Sequence, residues 1–294
     1  MKQMEWGEQL VNLLACGGVY ALTALGYTLV FGVVRLVNFA HCDVMMLGAY
    51  AGWMLRREWD APLWLVLLGA AGLCALAGVG LERVVYRPLF TGREEYLLVA
   101  AVGASLVLEY AAAGIWGSAP RRLALPELEG TVMLGGMAVQ KGALLVFGLC
   151  MLCMVGLSLF LRFSPVGMAM RAVSEDSMAA RLCGIPEGKM VAAAFLLGSA
   201  LAGVSGVLYA QLYSLTPFMG TLPGMKAFAA AVLGGIGSVP GAVAGGFLLS
   251  FFETGAAILL GPGARDGVSF FAMILTLLLF PGGLAGRGKG GERL

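Results

Sequence analysis

The sequence predicts an all-α fold, a polytopic membrane helix bundle with about eight or nine transmembrane helices, some of them short or broken. Of its 294 residues, 60% are hydrophobic and 12% are charged, whereas about a quarter of the residues in soluble globular chains are charged. The mean hydropathy of +0.89 agrees with this. The 45 glycines far exceed the usual share of about 7%, and small residues let membrane helices pack closely. We therefore expect one transmembrane domain over residues 1–294 of a multi-pass membrane protein.

Apolar segments of a length close to the bilayer thickness define the candidate spans. A helix needs about 20 mostly apolar residues to cross a bilayer. The candidates are residues 10–34, 40–55, 63–81, 96–116, 144–161, 190–213, 225–238, 242–260 and 268–280. Two of them, 40–55 and 225–238, are short for a full span. Such segments are tilted, broken or re-entrant, and irregular backbone at membrane depth requires a protein-enclosed cavity around it.

A polar segment at residues 162–189 separates two long apolar blocks and reads as two short helices. Ser164 before Pro165 predicts a helix start with a side-chain cap and proline in the first turn. Ser174 and the two acidic residues after it predict the start of a second helix, which Gly184 and a nearby proline end. A capped, charged segment in so apolar a chain favours a docking element over a linker.

The basic residues indicate which side of the membrane this segment occupies. If 162–189 and the C-terminus are cytoplasmic, eleven of the 19 Lys and Arg residues lie inside, which agrees with the positive-inside rule. Arg56, Arg57, Arg121 and Arg122 count against this topology, so one span more or fewer stays open. The loop 117–142 is long enough for a small external hairpin. The net charge of +2 is too small to suggest a nucleic-acid partner. We expect membrane lipid to surround the protein.

The sequence offers no catalytic or cofactor chemistry. Gly283, Gly288 and Lys289 have the spacing of a phosphate-binding loop, but Gly290 occupies the Ser/Thr position and no strand precedes the run. His41 is the only histidine, so a metal site is not expected. We therefore predict that the chain is not an enzyme and binds no cofactor of its own.

Polar residues inside apolar segments are the better functional lead, because each is costly in lipid and faces a partner or a cavity. The candidate translocation pathway consists of Asn38, His41, Asp43, Glu109 and Glu253. For Glu109 and Glu253, a buried structural pair is an equal alternative. Lys226 is either a helix-end residue that reaches the interface or a functional one. A proton relay built from these groups keeps a stand-alone, ion- or proton-coupled secondary transporter or channel as the competing hypothesis.

Glycines recur at four-residue spacing near the end of the chain. Gly237, Gly241 and Gly245 would lie on one face of a helix and let another helix approach. Pro240 and the paired glycines around it also permit a break. Helix packing is favoured over direct contact with a substrate.

Five stretches in chain order resemble one known family. They are residues 18–31 (GVYALTALGYTLVF), 37–41 (VNFAH), 87–89 (RPL), 167–184 (GMAMRAVSEDSMAARLCG) and 224–241 (GMKAFAAAVLGGIGSVPG). Together they resemble the LivH-type permease subunit of branched-chain amino acid ABC importers, over nearly the whole chain. The sequence departs from the family at Cys42, where glycine is usual, and at Asp43, where glutamate is usual.

The resemblance implies the partners and the driving force. Such a subunit pairs with a second, LivM-like permease in the inner membrane, sits on two cytoplasmic ABC ATPases that bind ATP, and receives substrate from a periplasmic substrate-binding protein. It implies translocation of leucine, isoleucine and valine, or of related small amino acids and amides such as urea, driven by ATP hydrolysis on the partner subunits.

The resemblance also gives residues 162–189 a role as the cytoplasmic loop that couples to the ATPases. ABC permeases carry an E-A-A-x-x-x-G pattern in this loop. Ala179, Ala180 and Gly184 fit the pattern, and Met178 stands in place of the glutamate. The residues implied in coupling are Arg171, Glu175, Asp176, Ala179, Ala180 and Gly184.

Overall fold

The computed structural model describes residues 2–35, 37–90, 93–134, 137–280 and 282–284. Most of them are helical, which confirms the predicted all-α fold. The helices are α1 (Lys2–Val34), α2 (His41–Trp59), α3 (Leu63–Leu81), α4 (Glu94–Trp116), α5 (Lys141–Phe163), α6 (Pro165–Glu175), α7 (Ser177–Leu182), α8 (Glu187–Leu212), α9 (Thr221–Gly234), α10 (Val239–Leu259) and α11 (Arg265–Leu279). Shorter turns of π and 3-10 helix, Glu82–Tyr86 and Arg87–Leu89, follow α3.

A small hairpin forms within the loop 117–142, as the sequence predicts. Strand β1 (Thr131–Leu134) pairs antiparallel with β2 (Met137–Gln140), and Thr131 lies opposite Gln140. The hairpin and residues 162–189 lie at opposite ends of α5. We call these the hairpin end and the coupling end of the bundle.

Seven helices among the described residues are long and apolar enough to cross a membrane. They are α1, α3, α4, α5, α8, α10 and α11. The two other predicted spans correspond to α2, which has 19 residues, as many as α3, and to α9, which has 14. With these two, the described residues contain nine helices of 14 residues or more, which agrees with the predicted eight or nine.

Helix α1 is the centre of the bundle. Its side chains from Ala15 to Val30 are almost all buried, and it packs against α5, α8, α9 and α10. By contrast, α4 and α11 expose large apolar side chains such as Val99 and Leu278, which are 72% and 75% accessible. Apolar surface of this kind suits lipid or a second membrane subunit.

Helices α2 and α9 start inside the bundle rather than at one of its ends, and for this reason we call them the half-helices; α2 has 19 residues and α9 has 14. His41, the first residue of α2, lies against Gly26 of α1 and near Gly198 of α8. At 1.5 Å per residue, these glycines lie about 12 to 16 Å from the coupling end of their helices. Helix α9 starts at the same depth, because a Cβ atom on Gly220 would lie 2.6 Å from the carbonyl oxygen of Cys42. From there α2 runs to the hairpin end and α9 runs to the coupling end.

Glycines bring α9 and α10 into backbone contact. A Cβ atom on Gly241 would collide with the carbonyl oxygen of Gly234, and one on Gly245 would collide with that of Ala230. Both glycines therefore lie on the face of α10 that packs against α9. No side chain larger than hydrogen fits there without moving backbone.

Gly237 does not lie on this face, so its predicted position is wrong. The hydroxyl of Ser238 accepts a hydrogen bond from the amide of Gly241 and caps α10, which starts at Val239. Gly237 is left in the connection before the helix with φ 92°, a conformation that glycine adopts at little cost. A Cβ atom there would meet open space.

The C-terminal residues pack back onto the α9–α10 connection as far as they are described. The amide of Leu284 donates to the carbonyl oxygen of Leu233. The basic residues Arg287, Lys289 and Arg293, and the glycine–lysine run from Gly288 to Gly290, lie outside the described residues.

Candidate translocation pathway and coupling segment

The coupling segment, residues 162–189, begins with α6 as predicted. The hydroxyl of Ser164 accepts a hydrogen bond of 2.9 Å from the amide of Gly167, and Pro165 occupies the first turn. Arg171 donates to the backbone carbonyl of Arg162 over 3.2 Å and ties α6 to the end of α5. The proline fixes the first helical φ, and the cap satisfies an amide that has no partner within the helix.

The second helix starts two residues later than predicted. Ser174 lies within α6, which continues to Glu175. Asp176 caps α7, because its carboxylate accepts hydrogen bonds of 2.9 and 3.0 Å from the amides of Met178 and Ala179. A carboxylate accepts two bonds at the positive helix end, where a serine hydroxyl satisfies fewer, so the aspartate determines the start.

Helix α7 ends in a Schellman motif. The amide of Gly184 donates to the carbonyl oxygen of Arg181, and the amide of Ile185 donates to that of Ala180, over 2.9 and 3.0 Å. Gly184 has φ 82°, the left-handed conformation that this motif requires. The left-handed backbone at this helix end therefore explains why glycine occupies position 184 of the implied coupling pattern.

Helix α7 presents apolar side chains to water. Met178 and Leu182 are 61% and 84% accessible, and Ala179 is also exposed. Ala180 points inward and is buried. Because α7 lies beyond the apolar spans and beside charged residues such as Arg181 and Glu187, this exposed face is not a lipid-facing one.

At the start of α2, a buried histidine ring packs against an aromatic ring. The His41 ring packs 4.7 Å from the ring of Tyr27, and Gly26 leaves room for it. Neither ring nitrogen has a hydrogen-bond partner among the described residues. Cys42 fills the space that Gly224 leaves open, and its thiol lies 3.3 Å from the Tyr27 hydroxyl. The Cys42 thiol therefore fills a gap in the packing, at a position where the family named above usually has glycine.

Two carboxylates face each other where the half-helices meet. Asp43 in the first turn of α2 is almost fully buried, and Ser105 and Glu109 of α4 lie beside its carboxylate. Thr221, the first residue of α9, donates a hydrogen bond of 2.9 Å to Glu109. A Cβ atom on Gly220 would lie 2.9 Å from Asp43 Oδ1. The positive ends of both half-helices therefore converge on this acidic pair.

Asn38 lies on the coupling side of the same cluster. Its side-chain carbonyl accepts a hydrogen bond of 2.6 Å from the hydroxyl of Tyr86, which is fully buried. Tyr86 lies in the π-helical turn after α3, a feature that often accompanies functional sites. Sequence reasoning missed Tyr86, although it directly precedes the R-P-L stretch.

Glu253 belongs to a different cluster. Its carboxylate lies 3.0 Å from the ammonium of Lys226 and accepts hydrogen bonds from Tyr20 and Ser269 over 3.1 and 2.5 Å. Lys226 also lies 2.8 Å from Asp266 of α11. Lys226 is therefore buried and doubly paired, so it does not reach for the membrane interface.

A cavity at the hairpin end reaches this second cluster. It has a volume of about 230 Å³ and is lined by Cys16, Tyr213, Glu253 and Arg265, among others. About two helical turns of α1 separate Tyr20 beside Glu253 from Tyr27 beside His41. The structure thus brings together four of the five predicted pathway residues and sets Glu253 apart from them.

Comparisons with known proteins agree with this architecture. Residues 9–278 match the family described as branched-chain amino acid transport system, permease component. The chain is 38% identical to the high-affinity branched-chain amino acid transport system permease protein LivH of Escherichia coli (strain K12), over 95% of each chain. It is also 38% identical to the corresponding protein BraD of Pseudomonas aeruginosa, again over 95% of each chain.

The names of these relatives describe transport permeases and not enzymes. The match extends from α1 to α11 and includes both half-helices and the coupling segment. The predicted family and the multi-pass location in the inner membrane are confirmed. The chain therefore belongs to the permease components of branched-chain amino acid transport systems.

Proposed function

We propose that the chain forms one permease domain over residues 1–294 of an ATP-driven importer. It translocates leucine, isoleucine or valine, or related small amino acids and amides, and it performs no catalysis itself. ATP is bound and hydrolysed by two cytoplasmic ATPase subunits. A periplasmic substrate-binding protein delivers the substrate, and a second, LivM-like permease completes the membrane unit.

The exposed apolar face of α7 is the observation that carries this proposal. Met178 and Leu182 lie in water on a helix that is capped at both ends and held against the bundle by Ala180. Exposed apolar side chains on a rigid helix indicate an interface with a soluble partner. Arg171, Glu175 and Asp176 surround this face with charge, which suits the polar rim of such an interface.

The packing of α6 supports a mechanical route from the ATPases to the pathway. Helix α6 packs against α1 and α8. A Cβ atom on Gly26 of α1 would collide with the His41 ring at the start of α2 and would lie 3.0 Å from the carbonyl oxygen of Gly198 in α8. A displacement of the coupling segment would therefore act through these two helices on the start of α2.

We place the central part of the pathway at the meeting point of the two half-helices. Broken helices whose ends meet inside a bundle form the binding sites of many transporters. The helix N-termini would favour the carboxylate of an amino acid, and Asp43 and Glu109 would favour its ammonium group. ATP binding shifts the permease pair between its two states only if the coupling contacts differ between them.

The competing hypothesis, a stand-alone proton-coupled transporter or channel, rests on the same acidic pair. Asp43 and Glu109 beside the unpartnered ring of His41 resemble a short proton relay. Glu253 fits this hypothesis less well, because Lys226 neutralises it.

Assembly provides the test. The chain should be co-expressed with its candidate ATPases, second permease and binding protein, and purified through a tag on the chain alone. We expect both ATPases and the second permease to co-purify in defined stoichiometry, and Leu182→Asp to release the ATPases only. Recovery of the chain alone, with normal substrate uptake in the same membranes, would contradict the proposal.

A further inference from the structure

A large groove at the coupling end lies outside the pathway described above. It has a volume of about 820 Å³ and lies between the end of α1, the π-helical turn, α4 and the coupling segment. Its apolar lining includes Val33, Phe90, Leu97 and Val191. It is large enough to hold a molecule of the size of an amino acid.

Glu82 provides a buried charge with an unsatisfied oxygen in this groove. It is 2% accessible, and its Oε2 atom has no hydrogen-bond partner among the described residues. A buried carboxylate without a partner is costly, so a cation or hydrogen-bond donor is expected beside it. No salt bridge within the described residues includes Glu82.

Two arginines supply the opposite charge in the same groove. Arg35 and Arg87 both line it and are exposed towards it rather than paired within the described part of the chain. Arg35 is held with φ 57°, a conformation that few residues other than glycine adopt. Such strain persists where the surrounding structure enforces it, often at functional sites.

The groove thus combines a buried carboxylate, exposed guanidinium groups and an apolar wall. We propose that it binds a free α-amino acid with an apolar side chain on the coupling side of the membrane. Glu82 holds the ammonium group, Arg87 and Arg35 hold the carboxylate, and the side chain packs against Val33, Phe90 and Leu97. The proposed ligand is therefore a zwitterion with a branched aliphatic side chain.

The groove also involves the coupling segment, because Glu175, Asp176 and Arg181 line its far side. Arg181 is held there by Glu187 at 3.3 Å. An amino acid in the groove would contact both the bundle and the segment proposed to meet the ATPases. The inference therefore rests on the proposed function and adds to it a site for the transported product beside the coupling segment.

The test uses the assembled transporter in nanodiscs of phosphatidylcholine and phosphatidylglycerol, which contain no primary ammonium group. Binding of radiolabelled leucine is measured without nucleotide and without the binding protein. We expect saturable binding, with N-acetyl-leucine, isoamylamine and glycine each competing at least about tenfold more weakly than leucine. These competitors lack the charged ammonium group, the carboxylate and the side chain, respectively.

Two variants assign the contacts. Glu82→Gln should weaken the binding of leucine at least about tenfold. It should leave competition by N-acetyl-leucine unchanged, because that ligand has no charged ammonium group for Glu82 to bind. Arg87→Gln, an exposed substitution that should not disturb folding, should weaken leucine and N-acetyl-leucine but not isoamylamine. Glu95→Gln is the matched control, since Glu95 lies at the same end of the bundle outside the groove. It should bind leucine like the wild type.

The results separate the inference from the proposed function. If both groove variants bind leucine like the wild type while ATP-driven uptake is intact, the inference is wrong and the proposed function stands. Equal losses for all three ligands would also contradict the assigned contacts. If the permease pair without ATPases binds leucine but the assembled transporter does not, the ATPases occupy the groove and the inference fails. Absence of ATP-driven uptake in the wild type would instead refute the proposed function.

Discussion

The ammonium nitrogen of Lys226 lies 3.0 Å from a carboxylate oxygen of Glu253 in the interior of the bundle. The two residues belong to α9 and α10, and Asp266 of α11 lies 2.8 Å from the same ammonium group. Both members of the Lys226–Glu253 pair are almost fully buried. The pair thus fixes the second half-helix against the helices at the hairpin end.

Breaking this pair should destabilise the protein. Lys226→Met leaves Glu253 as an unpaired buried charge, which costs about 3 kcal/mol. The double variant Lys226→Met/Glu253→Gln should recover at least half of the loss, because Asp266 is about half exposed and keeps its contact with water. Thermal unfolding of the purified protein, followed by fluorescence-detected gel filtration, provides the measurement. Equal instability of the single and double variants would show that the charges do not stabilise each other.

The glycine contact between α9 and α10 predicts a second stability effect. Gly241→Ala places a methyl group against the carbonyl oxygen of Gly234 and should destabilise the protein by about 2 kcal/mol or more. Gly255→Ala in the same helix is the control, since a Cβ atom there meets open space. Thermal unfolding of both variants should differ clearly. An unchanged melting temperature for Gly241→Ala would mean that the two helices are farther apart than described.

The exposed face of α7 predicts an uncoupled but folded variant. Leu182→Asp should lower the affinity for the ATPases at least about tenfold, or ~1.4 kcal/mol, because the contact becomes charged where it was apolar. Ser118→Asp, an exposed substitution at the hairpin end, should have no effect. Affinity is measured by titrating ATPases onto the permease in nanodiscs, with melting temperature as the folding check.

A backbone variant tests the shape of the same helix end. Gly184→Pro replaces φ 82° with the value of about −65° that proline requires, and it removes the amide that bonds to Arg181. We expect insertion into the membrane to persist and ATP-driven uptake to fall. Wild-type uptake by this variant would remove α7 from the coupling account.

The acidic pair at the half-helix starts predicts a transport defect without a folding defect. Asp43→Asn keeps the size of the side chain and removes its charge, so uptake should fall at least about tenfold if the ammonium group binds there. Asp43→Glu should retain part of the activity. Glu58→Gln, an exposed carboxylate at the far end of α2, is the control. Normal uptake by Asp43→Asn at normal expression would move the pathway elsewhere.

His41 offers a related test of function against packing. Its ring nitrogens have no described partners, so His41→Phe removes no hydrogen bond and should leave the melting temperature within a few degrees. A loss of uptake in that variant would indicate a pathway role. Unchanged uptake would indicate that the ring only fills space beside Tyr27.

Local signals in the sequence predicted local structure well. Apolar length identified the seven full spans, and Ser164 with Pro165 identified the start of α6. The segment predicted to be short at 40–55 is longer in the structure, because α2 continues to Trp59 through polar residues. The errors have local causes too. Asp176 competes better than Ser174 for the α7 cap, and the cap at Ser238 leaves Gly237 outside α10.

The sequence does not show which residues on different helices pair with each other. The sequence leaves a buried structural pair open for Glu253 but does not identify Lys226 as its partner, since nothing in their spacing shows that α9 and α10 face each other at that level. The same is true of Asn38 with Tyr86, and of Asp43 with Glu109. These contacts depend on how deep in the bundle α2 and α9 start. Hydrophobic periodicity in the sequence does not reveal that depth.

Uptake of radiolabelled leucine into proteoliposomes tests the central claim most directly. The chain is reconstituted with its second permease and ATPases, with ATP supplied on the ATPase side and the binding protein on the other. We predict uptake that requires both ATP and the binding protein and is insensitive to a proton gradient. Uptake by the chain alone, driven by a proton gradient without ATPases, would contradict the account.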